Sequence, residues 1–283
     1  MLELIDLTYT YPKAKNAEAL TDVSCRIGEG TWLLLGENGA GKTTLMRLAA
    51  SLLRPTSGQV ILDGENVTAH EASTLSRLFL LTDDMIFPAQ TINEFASIHA
   101  PYYPTFSREL LEANLEEFGL TGKERIDRLS LGYRKRAQTA YTLALRAPLT
   151  MLDEPTNGLD IDARKKLRKL MSKSATDGQT MIVSTHNIAD LETLYDGVII
   201  LHRGHLLTAM SAFDILSRLN FTSGIEIPEG ALFSEWNLAT VNAITENLSG
   251  EPQTDINYSL LYSALMSKDA SQKIMSILNK AEK

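Results

Sequence analysis

The first two thirds of the chain alternate short apolar runs with stretches in which apolar residues recur at helical spacing. Apolar runs bounded by polar residues or glycine are typical of buried strands, and their alternation with helices predicts an α/β fold around a mostly parallel sheet. In such folds, function gathers at the carboxyl ends of the strands. The runs that predict the sheet are residues 31–35, 78–81, 149–154, 181–186 and 198–201.

Two further parts are predicted around this sheet. Residues 2–10 and 20–27 predict a small antiparallel β subdomain laid against the core. Residues 88–147 are mostly helical in pattern and predict a helical subdomain. Within it, residues 100–106 combine aromatic side chains with two prolines and predict a loop, which either docks a partner or packs on the helices beneath it.

The pattern changes near the C-terminus. From about residue 218 glycines and prolines interrupt the chain, and helices are expected near residues 236–248 and 258–279. The sequence therefore predicts one main domain over residues 1–217 and a short helical C-terminal appendage over residues 218–283. No candidate chemistry appears in this appendage.

A glycine-rich segment, residues 36–43, follows the apolar run at residues 31–35 and precedes a predicted helix. It fits the pattern G-x-x-x-x-G-K-[ST], which between a strand and a helix predicts a phosphate-binding P-loop. Its backbone N–H groups and the helix N-terminus are expected to hold a polyphosphate, with Lys42 at the β- and γ-phosphates and the Thr43 hydroxyl on Mg²⁺. The core is therefore predicted to be a P-loop NTPase fold. The predicted nucleotide-binding residues here are Gly36, Glu37, Asn38, Gly39, Ala40, Gly41, Lys42, Thr43 and Thr44.

Two adjacent carboxylates, Asp153 and Glu154, end a later apolar run. Downstream of a P-loop, such a pair predicts ATP hydrolysis: Asp153 helps to hold Mg²⁺, and Glu154 orients and deprotonates the attacking water. Tyr11 lies upstream of the loop at a spacing that suits stacking on adenine. Packing in the core is the alternative for Tyr11, and Tyr9 is a rival for the stacking position.

Composition narrows the class of protein. The chain has 283 residues, one cysteine and a net charge of −8, and no apolar run approaches the roughly 20 residues of a membrane-spanning helix. Cys25 can form no internal disulfide, which suits a reducing cytosol, and we interpret it as a small buried side chain. The negative charge argues against nucleic-acid binding. Since the N-terminal residues do not resemble a signal peptide, we expect a soluble intracellular protein.

Residues 129–133, Leu-Ser-Leu-Gly-Tyr, resemble the L-S-G-G-Q signature of the ABC-type ATPases. Residues 153–160 resemble that family's Walker B acid, catalytic glutamate and D-loop, and residues 184–186 resemble the segment that ends in its switch histidine. Together with the P-loop, these motifs occur in the family's order. The resemblance implies that His186 contacts the γ-phosphate and that Asp160 belongs to the nucleotide site.

The resemblance also implies a head-to-tail dimer in which each ATP, with its Mg²⁺, lies between one P-loop and the partner's signature segment. Ser130 and the amide of Gly132 would then contact the γ-phosphate of the partner subunit's ATP. Since this sequence has one P-loop and one signature, the dimer is either a homodimer or a heterodimer with a related ATPase chain. A separate membrane permease is the other implied partner, which would place the chain at the inner face of the cell membrane.

The sequence departs from the family pattern at two places. Leu131 and Tyr133 stand where the signature usually has glycine and glutamine. The position of the family's Q-loop glutamine falls on Thr82, which is expected to touch Mg²⁺ or water, with Asp83 as the alternative.

These observations predict an ATP-binding and ATP-hydrolysing subunit of an ABC transporter. Water would attack the γ-phosphate in line, with Glu154 as base and with Lys42, Mg²⁺ and His186 stabilising charge. One core domain with a short appendage resembles bacterial exporters more than importers. The alternative is a soluble ABC ATPase without a transport pathway, such as a cofactor-assembly factor, which would bind soluble partners.

Overall fold

The computed structural model describes residues 1–12, 18–174, 178–185, 195–252 and 254–279. Within these ranges, no helix combines the length and the apolar character that crossing a bilayer requires. In chain order the strands are β1 (Leu2–Thr10), β2 (Glu18–Ile27), β3 (Gly30–Leu35), β4 (Ser57–Leu62), β5 (Glu65–Asn66), β6 (Leu78–Leu81), β7 (Leu149–Asp153), β8 (Thr180–Ser184), β9 (Gly197–His202), β10 (His205–Ser211), β11 (Leu219–Gly224), β12 (Phe233–Asn237) and β13 (Thr240–Glu246). The α-helices are α1 (Lys42–Ala49), α2 (Ala72–Leu75), α3 (Ile92–His99), α4 (Arg108–Glu117), α5 (Leu131–Leu145), α6 (Ile161–Ser174), α7 (Ala212–Leu216), α8 (Tyr258–Met266) and α9 (Lys268–Leu278).

A six-stranded sheet in the order β10-β9-β3-β8-β7-β6 forms the centre of the fold. All neighbouring strands in it are parallel except β10 and β9. Strands β7 and β8 are buried along their whole length, which explains their mostly apolar sequences. The predicted α/β fold is confirmed, and the carboxyl ends of β3, β8 and β7 lie side by side.

A second, antiparallel sheet has the order β2-β1-β4-β5. Its buried side chains, among them Leu2, Leu20 and Val60, share one cluster with Leu45 and Met46 of α1. This burial of apolar side chains fixes the sheet against the helix that follows the glycine loop. The predicted antiparallel part of the fold is confirmed.

The chain between β6 and β7 forms the predicted helical region from α3, α4 and α5. Tyr141, near the middle of α5, is fully buried, and its hydroxyl lies 2.6 Å from Nδ1 of His99. In the aromatic segment between α3 and α4, Tyr103 and Phe106 pack against the buried core, whereas Tyr102 is 70% exposed. Two of the three aromatic rings of this segment therefore pack on the helices, and the third, that of Tyr102, is exposed.

The C-terminal appendage contains a sheet as well as helices. The helix predicted near residues 236–248 is wrong, because β12 and β13 form a hairpin there and β13 pairs with β11. Alternating burial in β13, with Val241 and Ala243 inside, suits a strand, and pairing with β11 decides the conformation. The helix predicted over residues 258–279 is present as α8 and α9, which meet at Ser267.

The appendage and the main domain share one buried cluster. Phe221, Ile244, Leu261 and Ile274 of the appendage belong to the same cluster as Leu33 of β3. The appendage is therefore packed onto the central sheet, near the strand that leads into the glycine loop.

Candidate functional site

The glycine loop, residues 36–41, joins β3 to α1. A Cβ at Gly36 would lie 2.6 Å from the carbonyl oxygen of Leu201 in β9, so only glycine fits where the loop leaves the sheet. The amide of Ala40 donates to the carbonyl of Glu37 at 3.0 Å and closes a turn within the loop. The loop thus surrounds the N-terminus of α1 with backbone groups, as an anion site requires.

Lys42, the first residue of α1, reaches back over this loop. Its Nζ donates to the carbonyl oxygens of Gly36 at 2.7 Å and of Glu37 at 3.3 Å. Burial lowers the pKa of Lys42, and the nearby carboxylates of Glu154 and Asp153 act in the opposite direction. The ammonium is therefore held at the loop, where it can pair with phosphate oxygens.

Asp153, the last residue of β7, connects three elements through its carboxylate. It accepts hydrogen bonds from Oγ1 of Thr43 at 2.8 Å and from Oγ of Ser184 at 2.5 Å. A hydroxyl and a carboxylate at this distance are ligands that suit Mg²⁺, which usually takes one or two carboxylates together with phosphate oxygens. In the part of the chain that the structure describes, no group of three or more His, Cys, Asp or Glu side chains could hold a metal ion.

Glu154 follows with a φ of +49°, in the left-handed region. This backbone conformation is costly for a residue other than glycine, and such strain concentrates at functional sites. The amide of Glu154 donates to Ser184, to its Oγ at 3.0 Å and to its carbonyl at 3.2 Å, and these contacts hold the turn. Glu154 lines the same cavity as Lys42, where a carboxylate can orient and deprotonate water.

Residues of the glycine loop line a cavity of about 510 Å³ together with Asp153 and Glu154, and we call it the nucleotide cavity. Its size is in the range of pockets for small ligands. Tyr11 forms part of its wall, with the hydroxyl 3.1 Å from Oγ1 of Thr44, while Tyr9 is buried behind it with ring centroids 4.9 Å apart. Of the two aromatic candidates, Tyr11 is the one at the cavity. The lining residues are Tyr11, Ala19, Glu37, Asn38, Gly39, Gly41, Lys42, Thr43, Thr44, Asp83, Asp153, Glu154 and Asn157.

Three residues that line the cavity are not first choices from the sequence: Asp83, Asn157 and Ala19. Asp83 is the alternative to Thr82 at the Q-loop position. Its carboxylate forms an ion pair with Lys135 and lies 3.5 Å from Nδ2 of Asn157. The signal for Asn157 was its place three residues after Glu154 in the acidic segment. Ala19 has no chemistry that a sequence pattern could reveal.

Thr82 lies beside the nucleotide cavity, in a small pocket that also borders Asp153 and Glu154. Its hydroxyl binds the carboxylate of Asp84 and lowers the pKa of that group. Asp83 therefore lines the nucleotide cavity and Thr82 does not, and the metal contact of Thr82 stays a prediction.

Ser130, Gly132 and Asp160 lie outside the nucleotide cavity of their own chain. Ser130 caps α5 with its side chain. Asp160 accepts from the amide of Ala163 at 2.8 Å, which lowers its pKa, and pairs with Arg136 at 2.7 Å. Their contacts with a nucleotide, expected across a dimer, stay predictions.

His186 lies outside the described residues, so its expected contact with the γ-phosphate stays a prediction. The preceding residue, Thr185, is fully buried and lines a second cavity beside the glycine loop.

Comparison with known proteins finds relatives over the part of the chain that contains the glycine loop, Asp153 and Glu154. Residues 20–157 match a family model described as ABC transporter. The chain is 34% identical over 224 residues to the bacitracin transport ATP-binding protein BcrA of Bacillus licheniformis, an alignment that covers 78% of this chain and 72% of that protein. A solved ATP binding subunit of an ABC transporter has a TM-score of 0.67 at 26% identity and covers 76% of this chain and 91% of its own. The dimeric structure of MJ0796, a bacterial ABC transporter cassette, has a TM-score of 0.63 at 25% identity. That match covers 75% of this chain and 98% of the MJ0796 chain.

Proposed function

Because the chain belongs to the ABC transporter family, as an ATP-binding and ATP-hydrolysing subunit, we propose that its reaction takes place in the nucleotide cavity. One observation carries this assignment. The ends of β3 and β7 bring Lys42, Asp153 and Glu154 to one cavity although they are far apart in sequence. A cation at a glycine loop beside two carboxylates suits phosphoryl transfer to water.

The loop and its helix bind the polyphosphate of ATP. Backbone N–H groups of residues 36–41 and the N-terminus of α1 face the phosphates, and Lys42 pairs with their oxygens. The ring of Tyr11, which lines the cavity, is proposed to stack on adenine. Its hydrogen-bonding distance to Thr44 supports this position.

The oxygens of Thr43 and Asp153 would hold Mg²⁺ together with the phosphates. When bound, the ion supplies positive charge that offsets the charge of the phosphates. Ser184 keeps the Asp153 carboxylate in place through its hydrogen bond.

Glu154 acts as the base in hydrolysis. It takes a proton from a water that attacks the γ-phosphorus in line, and the bond to the bridging oxygen breaks to leave ADP and phosphate. Lys42 stabilises the charge on the transferred group, and His186 is proposed to contact the γ-phosphate beside it.

Two copies of the chain, or this chain and a related ATPase, form the working unit. Ser130, Gly132 and Asp160 lie outside the chain's own cavity, which supports a role on the nucleotide of the partner subunit. Closure of this dimer around ATP would couple hydrolysis to movement of a separate membrane permease.

The permease is proposed to dock in the groove between residues 82–106 and the core. Three large apolar side chains of that segment are exposed: Ile86 is 81%, Ile98 64% and Tyr102 70% exposed. Exposed apolar groups of this size suit a protein interface. This contact would hold the chain at the inner face of the membrane.

Purification of a tagged Glu154→Gln chain from detergent-extracted cells, with ATP present, tests this assignment. We expect a polytopic membrane protein to copurify, and more of it than with wild type in the absence of ATP. Recovery of soluble partners alone, with membrane proteins shown to be extracted, would overturn the transporter role in favour of a soluble assembly factor. ATP turnover by the purified wild type tests the ATPase role separately.

A further inference from the structure

A second cavity, of about 350 Å³, lies beside the glycine loop, and the appendage forms its other wall. It shares Glu37 and Asn38 with the nucleotide cavity. From α8, Ser259 and Tyr262 border it; they are three residues apart and so lie on one face of the helix. One helix of the appendage therefore faces the first turn of the loop that binds phosphate.

The hydroxyl of Tyr262 is buried at this wall and has no hydrogen-bond partner of ordinary geometry among the described residues. Burial raises the pKa of Tyr262, and the charge of Glu37 raises it further, while the backbone amide of Glu37 lowers it. Glu37 is thus the charged residue beside this hydroxyl, and the neutral hydroxyl can both donate and accept. A buried polar group without a partner calls for an explanation.

The position of Tyr262 is fixed by the rest of α8. The helix is capped by Asn257, whose side chain accepts from the amide of Leu260 at 2.9 Å. One turn before Tyr262, the ring of Tyr258 is buried, and Leu261 is fully buried. Since this packing anchors the helix to the core, we expect the hydroxyl to gain a partner through movement of the loop.

Binding of a phosphate is expected to change the contacts that hold the glycine loop. Lys42 donates to the carbonyls of Gly36 and Glu37, and phosphate oxygens compete for that ammonium. A small shift of the first turn on binding would bring the Glu37 backbone into bonding geometry with the Tyr262 hydroxyl.

We propose that Tyr262 is a positioning residue for ATP: its hydroxyl binds the Glu37 backbone once ATP is present and holds the glycine loop in its phosphate-binding shape. The proposal rests on ATP binding at this loop, as proposed above. It gives the appendage a part in nucleotide affinity.

The test is calorimetric titration of full-length Tyr262→Phe with ATP and Mg²⁺. Phenylalanine keeps the ring and removes the hydroxyl, so we expect ATP affinity to fall about 3- to 10-fold, the effect of one hydrogen bond. The kcat at saturating ATP should stay within about twofold, and melting without ATP should be unchanged. The matched control is Tyr258→Phe, which removes a hydroxyl from the same helix that bonds Tyr195; its ATP affinity should equal that of wild type.

Hydrogen–deuterium exchange over residues 36–44 gives a second, activity-independent measurement. ATP should protect this segment in wild type and in Tyr258→Phe, and protect it less in Tyr262→Phe. Equal affinity and protection in Tyr262→Phe and wild type would overturn the proposal, and so would equal losses in both variants. Failure of wild type to bind ATP would instead overturn the proposed function.

Discussion

At the scale of single residues, the neighbours Asp153 and Glu154 have different surroundings. Asp153 is 6% exposed, and its carboxylate accepts from the hydroxyls of Thr43 and Ser184. Glu154 has a left-handed backbone whose amide is held by Ser184. These surroundings support the proposed roles, with Asp153 as a ligand of Mg²⁺ and Glu154 as the base in hydrolysis.

We predict that Glu154→Gln lowers kcat for ATP at least about 100-fold, because glutamine cannot take a proton from water. The Kd for ATP should change less than about threefold, since the loop and Lys42 are intact. Steady-state turnover and calorimetry measure the two values. Glu112→Gln, an exposed position on α4, is the control and should match wild type. Retained turnover in Glu154→Gln would exclude Glu154 as the base.

Replacement of Asp153 by alanine should reduce stability. It leaves the hydroxyls of Thr43 and Ser184 without their acceptor, and Ser184 is fully buried. We expect the free energy of unfolding without nucleotide to fall by about 1–3 kcal/mol, measured by urea denaturation. Asp162→Ala removes an exposed pair with Lys166 and should cost less than about 0.5 kcal/mol. Similar values for both variants would contradict this account.

At the scale of elements, α5 contacts the segments that follow two strands of the central sheet. Lys135 pairs with Asp83 after β6, and Arg136 pairs with Asp160 after β7. The Arg136 guanidinium also lies 4.5 Å from the ring centroid of Tyr133. The helix that carries the signature segment is therefore tied to both acidic segments near the nucleotide cavity.

We predict that Asp83→Ala lowers ATP turnover about tenfold, because it removes a carboxylate from the cavity wall together with its pairing to Lys135. Thr82→Val should stay within about twofold, since its hydroxyl binds Asp84 outside that cavity. Steady-state ATP turnover of the two variants shows whether Asp83 or Thr82 contributes to hydrolysis. The reverse order of effects would restore Thr82 as the ligand that the family register predicts.

The parts of the molecule that could be predicted from the sequence are those in which the proposed chemistry requires particular residue types at a particular spacing. The glycine loop and the acids after β7 were predicted because phosphate and water chemistry need those groups at that spacing. The β12–β13 hairpin was missed because its short segments are ambiguous until β13 pairs with β11, a contact distant in sequence. The sequence named Tyr11 with Tyr9 as a rival, and the fold separates the two: Tyr9 is buried in β1, whereas Tyr11 follows the end of that strand and lines the nucleotide cavity.

At the scale of the whole molecule, the appendage and the main domain depend on one another. Phe221 and Leu261 belong to the same buried cluster as Leu33 and Tyr195, and the hydroxyl of Tyr258 donates to the carbonyl of Tyr195 at 3.2 Å. Burial of apolar surface is the main favourable term in folding, so neither part has a complete core alone.

We therefore predict that a chain ending at residue 217 aggregates or melts more than about 10 °C below the full chain, because it exposes core side chains. Calorimetric melting and light scattering measure this. Deletion of residues after 279 leaves the described core intact and is the control. A truncated chain that melts with the full chain would show that the appendage adds nothing to the core.

The ammonium of Lys42 bonded to the carbonyls of Gly36 and Glu37 has a consequence for kinetics. A loop that Lys42 already holds to within a small shift of its bound shape needs no slow ordering before a nucleotide enters it. Association should then follow a single exponential whose rate rises linearly with nucleotide concentration. ATP and ADP should enter at similar rates and differ mainly in how long they stay, as is usual among closely related complexes.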